Sequence, residues 1–300
     1  MYASIRADLT GKTTMNATRA VMATGLGLTL LTGLVQAQWL NYPTPGIPRL
    51  SGGQPNLNAP APRTAEGKPD LTGVWMHELT SVAEMKRLFG DVIDERVKVD
   101  VPGMEIGTQH KYSTNILLDV ESRESLMRPE AAEIMRQRAA NRDPANVCQD
   151  VFGFPRAGLL SEPIKIIQAP RTTVVLYEVG NLHRQIFTDG RTLPTEFEFP
   201  AFLGYSAGHW DGDVFVVETA GFNDRTPLDG QGHPHSDALR ITERFRRRDF
   251  GHLDVEMTFD DPRLYSRPFT ISILHDLLPD ADLFEMFCEN EKDSAHLKRQ

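Results

Sequence analysis

From residue 164 to residue 274 the chain runs in short segments rich in Val, Ile, Phe and Thr that alternate apolar and polar positions, the period-two signature of strands with one buried face. The clearest segments cover 173–179, 182–188, 203–210, 214–219, 239–247, 253–259 and 269–274. Gly180-Asn181 and Asp211-Gly212 are dipeptides that close tight hairpins, and Arg248-Asp249-Phe250-Gly251 supplies a longer one, so successive strands are expected to be antiparallel neighbours. Consecutive hairpins build a sandwich or a closed barrel, and closure removes the exposed edges, which favours the barrel. Leu71-Thr72-Gly73-Val74-Trp75 reads as an earlier strand. A helix over 81–90 follows, opened by Ser81 with Glu84 at capping-box spacing and stopped by Gly90. A second helix over 129–140 starts at Pro129, with Glu130 and Glu133 early and Arg136 and Arg138 late, as the helix dipole favours. The expected fold is mainly β: an antiparallel up-and-down barrel over residues 71–300 with two packing helices. The interior of a barrel of about eight strands is either filled by side chains or sized for one small ligand, and the second case would connect fold to function.

The N-terminal third has a different character. Arg19 precedes an apolar, small-residue run over 20–35, and Val35-Gln36-Ala37 has the small-x-small form of a secretory cleavage site, so residues 1–37 read as a signal peptide and the protein as periplasmic or secreted. A membrane anchor is the competing reading, although the run is short of a bilayer span. Residues 38–70 are rich in Pro, Gly and Asn and lack periodicity: an extended arm whose Trp39, Leu40, Tyr42 and Ile47 suit it to lie on the domain or over an opening, or else a disordered linker. The chain carries a formal charge of −9, and removal of a leader holding Arg6, Lys12, Arg19 and Asp8 leaves it more acidic still, which argues against nucleic acid and anionic lipid as partners. Cys148 and Cys288 are an even pair without Cys-x-x-Cys spacing; in an oxidising compartment they read as one structural disulfide, with two free thiols as the alternative.

Chemistry is sought where polar residues interrupt apolar faces. Alternation places Glu218 with Val214 and Val216, and Glu243 with Leu239, Ile241 and Phe245; a buried carboxylate is a candidate general acid or base, or else half of an internal ion pair with Arg184, Arg225 or Arg244. Tyr177, Arg184, Tyr205, Trp210, Asn223 and Arg244 are candidate substrate contacts near hairpin ends. Residues 221–237 form a long polar loop, and loops of that length without structure of their own are uncommon unless functional or disordered. Within it His233 or His235 can move a proton near neutral pH with Asp224, Asp229 or Asp237 orienting the ring, can bind zinc or iron with Asp224 or Asp229, or can brace the loop. The Gly-x-Ser-x-Gly elbow, phosphate-binding glycine loop, His-Glu-x-x-His helix and Cys-x-x-Cys-His haem motif are all missing, which argues against the common hydrolase, nucleotide and c-type haem classes.

Four segments, Trp39-Leu40-Asn41-Tyr42-Pro43-Thr44-Pro45-Gly46-Ile47-Pro48-Arg49, Gly221-Phe222-Asn223-Asp224, Gly232-His233-Pro234-His235-Ser236 and Thr242-Glu243-Arg244-Phe245-Arg246-Arg247-Arg248-Asp249-Phe250-Gly251-His252, resemble a family of largely uncharacterised exported bacterial proteins. The resemblance implies a cysteine pair at Cys148 and Cys288; it departs after Cys148, where Gln149-Asp150-Val151 stands in place of a nearby proline. The hairpin spacing is also similar to lipocalin-like or calycin-like barrels, a likeness of fold alone. That likeness implies an apolar ligand or substrate. The leading expectation is a cofactor-independent acid/base lyase or isomerase acting on a hydrophobic plant-derived aromatic, for example formaldehyde-releasing cleavage of lignin-derived dimers, with His233 or His235 and a barrel glutamate exchanging protons. The alternative is a non-catalytic periplasmic carrier of a hydrophobic ligand.

Overall fold

The computed structural model describes residues 43–78, 80–89, 110–141, 153–160 and 162–285. The signal-peptide reading of 1–37, and Cys148 and Cys288 with their disulfide, lie outside the described residues. Nine strands close into one barrel in sequence order: β1 Gly73–His77, β2 Ile164–Ala169, β3 Thr172–Tyr177, β4 Leu182–Phe187, β5 Tyr205–Asp211, β6 Val214–Ala220, β7 Arg240–Arg247, β8 His252–Asp260 and β9 Phe269–Leu277. Closure is made by β1 against β9, with Trp75 opposite Leu277 and His77 opposite His275. The turn at Gly180-Asn181 takes the positive φ expected of it, at 65° and 50°.

The up-and-down expectation needs correction at one joint. β4 and β5 run parallel, pairing Ile186 with Ser206 and Phe187 with Ala207. Parallel neighbours cannot share a tight turn, and residues 188–204 provide the crossover that returns the chain to the same end of the barrel. The fold is therefore a mainly β, closed barrel of mixed strand direction.

Between β1 and β2 the described residues contain α1 Val82–Phe89, the single turn α2 Lys111–Thr114 and α3 Pro129–Ala140. Half of the expected capping box forms at α1: the Glu84 amide donates to Ser81 Oγ at 3.2 Å, while the Glu84 carboxylate accepts from Arg87 instead of reaching back. α3 begins at Pro129 as expected, without a side-chain cap.

Trp39, Leu40 and Tyr42 lie outside the described residues, and from residue 43 the extended arm lies on the barrel as two copies of one clip. Pro48-Arg49 with Gly53 and Pro55 is matched by Pro62-Arg63 with Gly67 and Pro69, a self-similarity that the Pro- and Gly-rich composition conceals. In each copy the glycine takes positive φ, 82° or 78°, and the arginine donates to its carbonyl. Each arginine then holds a barrel-side aspartate, Arg49 with Asp280 and Arg63 with Asp213, both at 2.6 Å. Between the clips, the amides of Phe250 and Gly251 donate to the carbonyls of Ala59 and Leu57, both at 2.7 Å.

Candidate functional site

Strand register decides which side chains face the lumen. Phe215, Val217 and Thr219 of β6 stand opposite Phe245, Glu243 and Ile241 of β7, and all six are buried. Glu218 is on the other side of β6 and exposed, which corrects the expectation that it shares a buried face. β6 is apolar on both faces, so alternation alone did not distinguish inside from outside.

Glu243 is 3% exposed and accepts from Arg184, itself 2% exposed. Arg184 also donates to Ser206 Oγ at 2.9 Å and Thr219 Oγ1 at 2.6 Å, and its guanidinium lies 4.0 Å from the centre of the Phe154 ring. Burial opposes the charge of Arg184, but the Glu243 carboxylate more than offsets this and its pKa lies above the ordinary value. Tyr177 lies beside this pair, its phenol pKa raised by burial. Tyr177, Arg184, Glu243 and His275 share one lumen cavity of about 30 Å³. The Nδ1 atom of His275 is buried without a hydrogen-bond partner among the described residues. A space that small suits a water and excludes an aromatic guest, so among the described residues this cavity, lined by Phe154, Phe245, Val255, Met257 and Ile273, is not the ligand-sized hollow expected of the lumen.

The histidine loop is packed in place. His233 and His235 are 4% and 2% exposed, and Asp229 is fully buried. Asp229 accepts from the His233 ring at 2.5 Å and from the amides of Ile116, Gln231, Gly232 and His233, so one carboxylate organises the whole turn. His235 Nδ1 donates to the Ser236 carbonyl at 3.2 Å and Nε2 faces Thr226 Oγ1 at 3.4 Å; burial lowers its pKa. Asp261 binds both the amide and the hydroxyl of Ser236. Asp224 is exposed, and its carbonyl accepts from Arg138. The contacts linking His235 to Glu243 run through rings: His235 on Phe222, Phe222 stacked on Phe154, and Phe154 under Arg184. Among the described residues no group of three or more His, Cys, Asp or Glu is arranged to hold a metal ion.

The remaining candidates are scattered. Tyr205 is 38% exposed, stacked on Phe197 and donating to the Phe199 carbonyl. Arg244 is on the outer face with Asp211. Asn223 braces the Arg225 amide, and Trp210 packs on Phe215.

Among the described residues a ligand-sized space lies elsewhere. A cleft of about 750 Å³ lies between the arm and the barrel, beside the start of β1 and the end of β9. Pro45, Ile47, Val74, Phe250, Leu277 and Leu278 supply its apolar walls, and Lys165 and Arg247 are its two cations. Comparison of the chain with protein-family models, curated proteins and solved structures finds no match. Cavity-lining residues that the sequence reading did not single out include Arg247 and His275, although alternation places Arg247 on the face of Ile241, Glu243 and Phe245, and His275 on that of Phe269, Ile271 and Ile273.

Proposed function

We propose that the protein binds an apolar small molecule in the cleft beneath the arm, as a carrier. The observation that supports this reading is the cleft itself: its volume falls within the range of small-molecule sites, about 300–1,000 Å³, and apolar walls with a few polar groups are their usual lining. The arm gives the cleft one wall, which accounts for a Pro- and Gly-rich segment being clipped to the barrel at Asp213 and Asp280. An extracytoplasmic setting, read from residues 1–37, belongs to the same proposal.

The test uses N-phenyl-1-naphthylamine, a neutral apolar dye that brightens when bound. Saturable binding is expected, and Leu278→Trp, which fills the cleft, should weaken it at least ten-fold. Equal binding by the filled variant would remove the proposal.

A lyase or isomerase acting on the same class of molecule in the same cleft is the second reading, with the Asp70 carboxylate in the cleft lining as its candidate proton acceptor. Mass spectrometry of lignin-derived aromatics after incubation separates the two: unaltered compound supports carriage and new product supports catalysis.

A further inference from the structure

The two cations of the cleft are not equivalent. Lys165 is neutralised by Asp282 at 2.7 Å. Arg247, 6% exposed, donates to carbonyls: Nε to Asp249 and Phe250, Nη1 to Asp70 and Nη2 to Phe250. Its guanidinium sits 4.9 Å from the Trp75 ring centre and 5.1 Å from that of Phe250. Carbonyls and ring faces solvate a cation but carry no net charge to balance it. The nearest carboxylates, Asp70 and Asp249, act only at longer range, and burial prevails over them: the arginine's pKa is lowered to about 10. A guanidinium has five N–H groups, and the contacts above use one on Nε, one on Nη1 and one on Nη2. Among the described residues these contacts leave one N–H on each terminal nitrogen as a donor for a carboxylate or sulfonate.

We propose that the ligand of this cleft is an amphipathic organic acid, an apolar body carrying one carboxylate or sulfonate that pairs with Arg247. This inference rests on the cleft being the binding site and adds the chemical class of what fills it. The other charges of the cleft are consistent with a single anionic position. Asp280 is held by Arg49 and the Thr44 amide, and Asp282 by Lys165, which leaves Asp70, with its Oδ1 on the Thr72 amide, as the group that would oppose an entering anion.

The experiment compares two dyes with the same skeleton, N-phenyl-1-naphthylamine and its sulfonate 8-anilinonaphthalene-1-sulfonate, by fluorescence titration. The quantity read is the ratio of their affinities. In the unmodified protein the sulfonate is expected to bind at least ten-fold more tightly, and Arg247→Met to lower that ratio at least five-fold. Arg247 also ties the arm to the barrel, so Asp70→Asn provides a variant that keeps the fold: it retains the acceptor for Thr72, removes the opposing charge, and should raise the ratio about three-fold. A ratio near one that Asp70→Asn does not move would overturn the organic-acid inference while leaving the carrier reading intact. Unchanged binding of both dyes to Leu278→Trp would instead overturn the carrier reading and this inference with it.

Discussion

At the scale of single residues the Arg184–Glu243 pair is an ion pair buried inside the barrel. Both groups have left water, and what offsets that cost is their mutual attraction together with Ser206, Thr219 and the face of Phe154. Removing one partner strands the other charge. Arg184→Met is therefore expected to lower the unfolding free energy by about 3–5 kcal/mol in urea titration, and Arg184→Met with Glu243→Leu to regain most of it. A double variant no more stable than the single one would show that the pair is not the source of the loss. Glu243 was legible because β7 alternates, with Arg240, Arg244 and Arg246 outward and Glu243 sharing the buried face with Ile241 and Phe245. Arg184 was named as a partner, but Ser206 and Thr219, which hold it, are ordinary strand residues whose importance arises only from cross-barrel register. The two loop histidines carry a similar lesson: their chemistry was visible as residue types, whereas their engagement with Asp229, Thr226 and Ser236 depends on how the loop folds back on itself.

At the scale of elements the arm and the turn after β7 act as a unit. An added Cβ at Gly251 would meet Leu57 Cβ at 2.4 Å and the Leu57 carbonyl at 3.0 Å, both on the arm. The backbone of Leu57 is fixed there by the Gly251 amide, so the contact cannot relax without lifting the arm. Gly251→Ala is expected to cost about 1–3 kcal/mol of local packing and to increase proteolytic cleavage within residues 43–70, with the barrel's circular dichroism unchanged. Dye affinity in the cleft should fall along with it, because the arm forms one wall. Protection equal to that of the unmodified protein would mean that the arm is held elsewhere. The arm's extended character followed from its prolines and glycines. Its attachment did not, since Asp213 and Asp280 are far along the chain and look like ordinary turn residues.

At the scale of the whole molecule, the seam that closes the barrel is lined with imidazoles. His77 and His275 face each other across β1 and β9, and the His110 ring lies 5.1 Å from that of His77. Burial lowers the pKa of all three, to about 3 for His110 and His275, where repulsion by His77 adds to the effect. Lys111 works in the same direction on His110 and Asp119 against it. The unfolded chain binds protons below the ordinary histidine value of 6.5 while the folded one does not, so stability is fully present above that pH and is lost as pH falls toward 3. His110 and His275 each contribute a slope of about 1.4 kcal/mol per pH unit in that window. Glu78, Glu162 and Glu178, raised chiefly by burial, work in the opposite sense as they protonate. The comparison that isolates the imidazoles is denaturation between pH 6.5 and 4.5 of the unmodified protein and of His275→Gln: the variant should show the shallower pH dependence, and parallel curves would sink the assignment.

The properties set by neighbouring residues were decided along the chain: the period-two runs that became strands, the positive-φ turn at Gly180-Asn181, the start of α3 at Pro129 and the inward face of β7. These depend on backbone and side-chain preferences acting over a few residues, so a linear reading contains them. Closure of the barrel decided the rest. The parallel joint between β4 and β5, the outward turn of Glu218, the small lumen cavity and the cleft under the arm all follow from the register of segments remote in sequence. Register between remote segments is set by the packing of every strand at once, and no short stretch of residues encodes it.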